Sequence, residues 1–293
     1  MTEIYLISGF LGAGKTSLIL KIAEDLQQKE KICVVENEFG EISIDGAILQ
    51  SGNVWVKEIN QGCICCSLVG DFRRGLEEII DNYHPRRIFV EPSGVAKLSE
   101  LIRSLAGLEK RGKEIELFSI TVVDASKYFL YLKNFKEFYK DQIKFADVLV
   151  LSRKDQVSEE ELQNILSSLK GKRVWRNFSE EVPGETLLDF VQKKDLSDCK
   201  ADVIKAPEFE QWTWTNMGEM EPERMRKKIL HSFEAFKLFR VKGFFSYEGK
   251  RYLLQGTPGE VRIIPMCGNQ EGLVFIGNFS KEELKEYIHG KYD

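Results

Sequence analysis

Eight residues, Gly9-Phe10-Leu11-Gly12-Ala13-Gly14-Lys15-Thr16, match the spacing G-x-x-x-x-G-K-[ST], and these residue types in this order can hold phosphate. Gly12 and Gly14 let backbone N–H groups turn inward around the β- and γ-phosphates, with Gly9 and Ala13 completing the cradle. Lys15 supplies a positive charge, Thr16 offers a hydroxyl to Mg²⁺, and Ser17 is placed to help hold the α-phosphate. A ligand-free glycine turn is the plain alternative, and the filling of all four fixed positions speaks against it.

Three further clusters carry chemistry. Glu91-Pro92-Ser93-Gly94 is predicted at the end of a strand beside the phosphate loop, where Glu91 could bind Mg²⁺ and the Gly94 N–H could meet a γ-phosphate. Val95 follows where small signalling GTPases carry a water-positioning glutamine, so intrinsic hydrolysis is expected to be slow. Ser152-Arg153-Lys154-Asp155 falls where a guanine-reading [NT]-K-x-D motif belongs. The Asp155 carboxylate presents two acceptors to the N1–H and N2–H₂ donors of guanine, and the Arg153 plane can stack over a base. A solvated charged turn is the alternative there.

Cys63-Ile64-Cys65-Cys66 is the third cluster. Cys63 and Cys65 share one face of an extended segment, and Cys66 joins them if the chain turns into the following helix, whose N-terminus favours thiolates. Three sulfurs with a carboxylate such as Glu36 would make a tetrahedral site suited to Zn²⁺, with Co²⁺ or another divalent ion also allowed. A structural zinc knot and a redox-sensing thiol cluster remain open alternatives. Cys33, Cys199 and Cys267 are isolated and read as core or incidental.

The elements that must position these residues alternate in type. Ile4–Ile7 reads as a strand and Leu18, Ile19, Ile22 and Leu26 as one helix face; strands follow at 31–35, 54–58, 87–90, 117–123, 148–151 and 173–175, with helices from about Ser67, over 97–105, over 128–145 and after a Ser158-to-Glu161 capping box. This order predicts an α/β fold, a doubly wound, mostly parallel P-loop sheet. Beyond Pro183 the strands become aromatic and alternating, at 209–215, 237–241, 251–254, 261–264 and 273–276, with helices over 222–236 and after Ser280. The predicted organisation is a nucleotide domain over 1–191, a connector over 192–205 and a smaller α+β domain over 206–293.

A formal charge of −4 with no basic block gives no footprint for a nucleic-acid partner, and no apolar run reaches the length of a membrane helix. Strand residues begin directly after Met1-Thr2-Glu3, so no signal peptide and a cytoplasmic location are expected.

Taken together, the phosphate loop, Glu36-Asn37-Glu38-Phe39-Gly40-Glu41, Gly62-Cys63-Ile64-Cys65-Cys66, Glu91-Pro92-Ser93-Gly94 and Asp155 resemble the CobW family of SIMIBI-class P-loop GTPases. Arg240-Val241-Lys242-Gly243 and Val274-Phe275-Ile276-Gly277 resemble that family's C-terminal domain. The resemblance implies a GTP- and Mg²⁺-dependent metallochaperone that delivers a transition metal to a client metalloprotein or metal-cofactor enzyme. It places Cys65, Cys66 and Glu36 at matched ligand positions, with Cys63 as a third thiolate, and it allows a metal- or nucleotide-dependent homodimer. Ser152 and Arg153 depart from the family pattern, and there is no histidine-rich linker, the histidines being His84, His231 and His289. The competing readings are an ATP-dependent small-molecule kinase with a structural zinc site and a non-catalytic metal sensor.

Overall fold

Runs such as Ile4-Tyr5-Leu6-Ile7 and Val148-Leu149-Val150-Leu151 carry no polar alternation, which suits strands covered on both faces. In the computed structural model they are strands of a seven-stranded sheet, the first at its centre and the second next to its edge strand. The structure describes residues 1–36, 54–58, 69–109, 112–176, 184–194, 210–215, 217–266 and 271–290. The chain divides into two compact units, Met1–Ile204 and Lys205–Asp293.

The first unit runs β1 (Thr2–Gly9), α1 (Lys15–Leu26), β2 (Ile32–Glu36), β3 (Val54–Glu58), α2 (Val69–Tyr83), β4 (Arg87–Glu91), α3 (Leu98–Glu109) and β5 (Ile115–Asp124). It continues with α4 (Tyr128–Asn134), α5 (Lys136–Phe145), β6 (Val148–Ser152), α6 (Glu159–Ser168), β7 (Arg173–Trp175) and α7 (Glu185–Phe190). The strand order is β3-β2-β4-β1-β5-β6-β7, and every pairing is parallel. The winding reverses around β1, so the carboxyl ends of β1 and its neighbours open onto the crevice where such sheets bind ligands.

The two faces of the sheet have different covers. Phe118, Ile120 and Val122 of β5 share a core with Leu18, Ile22 and Leu26 of α1 and with Leu187 and Leu188 of α7. Ser119 and Thr121 alternate to the opposite face and donate to the Phe145 carbonyl at 3.2 Å and the Gln142 carbonyl at 2.9 Å, which places α5 on that side. Each Ile or Phe buried in these layers is worth about 1.5–3 kcal/mol.

The expected helix over 128–145 is two helices. Phe135 breaks it with φ −126° and ψ 37°, and its ring stacks 4.6 Å from Phe10 of the phosphate loop. The short α7 is not foreseen from the sequence. It begins at Gly184, where a Cβ would lie 2.9 Å from the Ile22 backbone, and the Gly184 N–H donates to Asp25 of α1.

The second unit contains β8 (Glu210–Trp214), α8 (Pro222–Ala235), β9 (Lys237–Tyr247), β10 (Lys250–Thr257), β11 (Glu260–Pro265), β12 (Gly272–Asn278) and α9 (Lys281–His289). Its strands form an antiparallel sheet in the order β11-β10-β9-β12-β8. Met225 and Ile229 of α8 and Leu284 and Ile288 of α9 pack on Val241, Phe245, Leu254 and Phe275 of the sheet. Strand β9 extends six residues beyond the expected end, because Gly243 lets its backbone meet β12 where a Cβ would be 2.0 Å from the Gly272 carbonyl oxygen. Among the described residues no helix is long and apolar enough to cross a membrane.

The acidic segment 37–45 and the residues Cys63, Cys65 and Cys66 lie outside the described residues, as do Cys199 and Cys267. Of Glu36 the backbone alone is described. Cys33 is buried in β2.

Candidate functional site

The phosphate loop leaves β1 at Gly9, whose φ of 146° and close approach to Val122, 2.5 Å from a would-be Cβ to the carbonyl oxygen, both require glycine. Gly14 caps α1 in the left-handed region at φ 103°, and no side chain caps this helix end. With no acidic residue in the first turn either, the positive end of the helix dipole favours an anion here.

Lys15 and Thr16 open α1 and face Glu91 at the end of β4. The Thr16 hydroxyl lies 3.0 and 2.9 Å from the two carboxylate oxygens of Glu91, and the Lys15 Nζ lies 3.7 Å from Oε1. Lys15 is only 5% exposed, so its charge acts in a poorly solvated place. A hydroxyl and a carboxylate converging in this way are hard oxygen donors, and this set fits Mg²⁺. Backbone register places Glu36 of β2 between Glu91 of β4 and Glu58 of β3, all at the carboxyl edge of the sheet.

Gly94 lies three residues past the end of β4 and is seated against the phosphate loop. A Cβ there would lie 2.6 Å from the Leu11 backbone nitrogen and 2.9 Å from its Cα. The whole of Pro92–Lys97 is buried. Helix α5 holds this loop from behind: Gln142 donates to the carbonyls of Gly94 and Ala96, each at 3.0 Å, and Asp141 accepts from the Ser99 N–H at 3.1 Å.

At the end of β6 the Ser152 hydroxyl donates to the Ala13 carbonyl at 2.8 Å and lies 3.4 Å from the Val123 carbonyl. The residue in the Asn/Thr position of the base-reading motif is thus tied to the phosphate loop. Arg153 adopts φ 52°, a costly conformation for a residue with a side chain, and its guanidinium is paired with Asp124. Asp155 is exposed in a single 3₁₀ turn over Lys154–Gln156.

Asp124 was missed by sequence reasoning. It is buried at the end of β5, accepts from the Ser126 N–H at 3.0 Å and from its hydroxyl at 2.6 Å, and offers its other oxygen to Arg153. The visible signal was Asp-x-Ser directly after an apolar strand, a local capping pattern. Gln142 was missed as well, since nothing local in a lysine-rich helix marks one glutamine as buried.

An aromatic cluster lies beneath the loop. Phe10 packs on Tyr131 at 4.5 Å and on Tyr139 at 6.2 Å between ring centroids. Burial pushes the Tyr139 phenol well above its ordinary value, with Tyr128 and Asp124 adding in the same direction.

The structure therefore gathers Gly9, Gly12, Ala13, Gly14, Lys15, Thr16, Glu91 and Gly94 around one crevice, and brings Ser152 to its wall through Ala13. The proposed transition-metal ligands are not among these, since Cys63, Cys65 and Cys66 and the Glu36 side chain lie outside the described residues. Among the described residues no group of three or more His, Cys, Asp and Glu could hold a metal ion.

Residues 3–176 match the family model described as CobW/HypB/UreG, nucleotide-binding domain, and residues 209–290 match the cobalamin synthesis protein cobW C-terminal domain. The zinc chaperone CobW of Pseudomonas aeruginosa is 25% identical over 300 residues, covering 87% of this chain and 80% of that protein. The zinc chaperone YeiR of Escherichia coli is 31% identical over 163 residues, 56% of this chain, and the aligned part spans only half of YeiR. The crystal structure of Zn(II)-bound YjiA GTPase from E. coli aligns over 100% of this chain and 99% of that one at 20% identity, with a TM-score of 0.45. With the nucleotide-binding model alone spanning more than half of its length, the chain belongs to the CobW/HypB/UreG family and carries a CobW-type C-terminal domain behind its nucleotide-binding domain.

Proposed function

We propose that the protein is a slow GTPase that couples its nucleotide state to the holding and release of a transition metal, Zn²⁺ first, for a client metalloprotein or metal-cofactor enzyme. The observation that carries this reading is the meeting of Lys15 and Thr16 with Glu91 while Gly94 sits against Leu11. Phosphate cradle, Mg²⁺ donors and the amide that reads a γ-phosphate then share one crevice. Relatives named zinc chaperones, together with three thiols in Cys63, Cys65 and Cys66, support zinc as the cargo.

In this mechanism the N–H groups at the start of α1 and the Lys15 ammonium neutralise the β- and γ-phosphates, and Gly12 and Gly14 supply the backbone turns that aim those N–H groups. Thr16 and Glu91 would hold Mg²⁺, which when bound neutralises charge on the transferring phosphoryl group. Ser152 and the Asp124–Arg153 pair fix the loop that presents Asp155 to guanine. Val95 brings no group to orient water, so turnover is expected on the order of 10⁻³ to 10⁻² s⁻¹ without a partner. Glu36 ends β2 one strand from Glu91, and the acidic segment 36–45 is the proposed switch between the nucleotide site and the cysteines. Triphosphate orders that segment into a cargo-holding state and hydrolysis loosens it.

The test is steady-state hydrolysis of GTP and ATP by the wild type and Lys15→Ala. GTP preference, with loss of turnover in the variant, is expected. A preference for ATP with turnover that depends on a small-molecule acceptor would replace the reading with a kinase.

A further inference from the structure

Gln142 has no part in the reading above. Its side chain is fully buried in α5, behind the loop that carries Gly94. The Nε2 group divides its two hydrogens between the carbonyls of Gly94 and Ala96, each at 3.0 Å. The backbone around it is anchored too: its own carbonyl accepts from Thr121 of β5 at 2.9 Å, and Asp141 beside it caps the start of α3 through Ser99. The Oε1 atom is buried with no hydrogen-bond partner among the described residues. A half-turn of the amide would set that oxygen against two carbonyl oxygens, so its orientation is dictated by the loop.

This is an unusual expense for a helix surface. An unpartnered buried acceptor costs about 1–3 kcal/mol, which an apolar side chain of the same shape would avoid. The apolar side chain would leave two loop carbonyls unpaired instead, and they would regain partners only by moving the loop. The same loop is held from the front by the contact of Gly94 with Leu11. It is therefore clamped between the phosphate loop and α5, with Gln142 as the rear jaw.

We propose that Gln142 is a positioning residue that fixes the Gly94 amide for reading the γ-phosphate, so that it governs discrimination between tri- and diphosphate. The inference rests on the proposed nucleotide-dependent function. It predicts an effect confined to states that reach Gly94, since the two phosphates of a nucleoside diphosphate meet the phosphate loop and stop short of Gly94.

The test uses the full-length chain and Gln142→Met, with Mg²⁺ present. Affinities are measured by fluorescence for mant-GMPPNP and mant-GDP, alongside single-turnover hydrolysis and the melting temperature of the ligand-free protein. Loss of two neutral hydrogen bonds predicts roughly tenfold weaker mant-GMPPNP binding and at least as large a loss of single-turnover rate, with mant-GDP changed by less than about twofold. Equal losses for both nucleotides would mark a purely structural role and overturn the inference, as would no loss for either. If Gln142→Met does not fold, Gln142→Asn carries the same comparison, because its amide sits one methylene back and cannot span both carbonyls. Running the adenine analogues in parallel separates the two claims. A wild type that turns over ATP rather than GTP defeats the proposed function, while the tri-to-diphosphate comparison on adenine nucleotides still decides the role of Gln142.

Discussion

Gly94→Ala is a sharply constrained substitution at the candidate nucleotide site. The added Cβ would lie 2.6 Å from the Leu11 backbone nitrogen and 2.9 Å from its Cα, with the Leu11 side chain at 2.7 Å. The side chain can rotate away, but the two backbone atoms belong to the phosphate loop and cannot. Reaching ordinary contact at 3.4 Å requires the Gly94 loop to retreat by about 0.8 Å. Gln142 and the buried run Pro92–Lys97 resist that retreat from behind, so overpacking should cost about 1–3 kcal/mol of stability. A reacting group displaced by about 1 Å typically loses on the order of a hundredfold in rate, and that is the expected fall in single-turnover GTP hydrolysis. Diphosphate affinity should stay within about threefold, because Gly94 is read only by the γ-phosphate. A variant that hydrolyses GTP within about threefold of wild type would refute the assignment of this loop to the reacting phosphate.

Other outcomes follow from single residues. Asp155→Ala should weaken GDP binding by roughly a hundredfold through the loss of two charged hydrogen bonds, with ADP binding unchanged; equal effects on both would remove Asp155 from base recognition. Tyr139→Phe should stabilise the protein by about 1 kcal/mol at neutral pH, since the phenol oxygen is buried without a partner among the described residues. Because the fold raises that phenol's pKa, its protonated form is the one the fold accepts. Wild-type stability should therefore hold below pH ~10 and decline as pH climbs towards the folded value, more steeply than in Tyr139→Phe. Parallel melting curves between pH 8 and 11 would contradict this. Cys65→Ser combined with Cys66→Ser should abolish high-affinity Zn²⁺ binding in a competitive chelator titration while leaving GTP hydrolysis intact; retained zinc affinity would show that these thiols are not the ligands.

The phosphate loop, the strand order of types and the capping box at Ser158 could be read from local pattern, because each depends on residues within a few positions of one another. The box forms as expected, with the Glu161 N–H donating to Ser158 Oγ at 3.2 Å and the Ser158 N–H to Glu161 at 3.0 Å. What escaped were features made by distant partners. Asp124 gains its role from Arg153, twenty-nine positions on, and Gln142 from a loop more than forty positions before it. Helix 128–145 looked continuous because Phe135 is a tolerable helix residue; its ring leaves the helix to cover Phe10. Strand β9 looked short because Gly243 reads as a breaker, whereas here it permits a close backbone approach. Arg153 was read as a base-stacking plane, and its pairing with Asp124 adds an anchor that composition could not reveal.

The central claim is that triphosphate and a thiolate-held metal ion sense one another across the segment that follows Glu36. Linkage makes it testable in either direction, because a nucleotide that tightens metal binding must itself be tightened by the metal to the same degree. The most direct measurement is a competitive Zn²⁺ titration of the full chain against a chelator of known affinity, in GMPPNP–Mg²⁺ and in GDP–Mg²⁺. The account predicts an affinity at least about fivefold higher with the triphosphate analogue. Zinc affinities that agree within error in the two nucleotide states would contradict it.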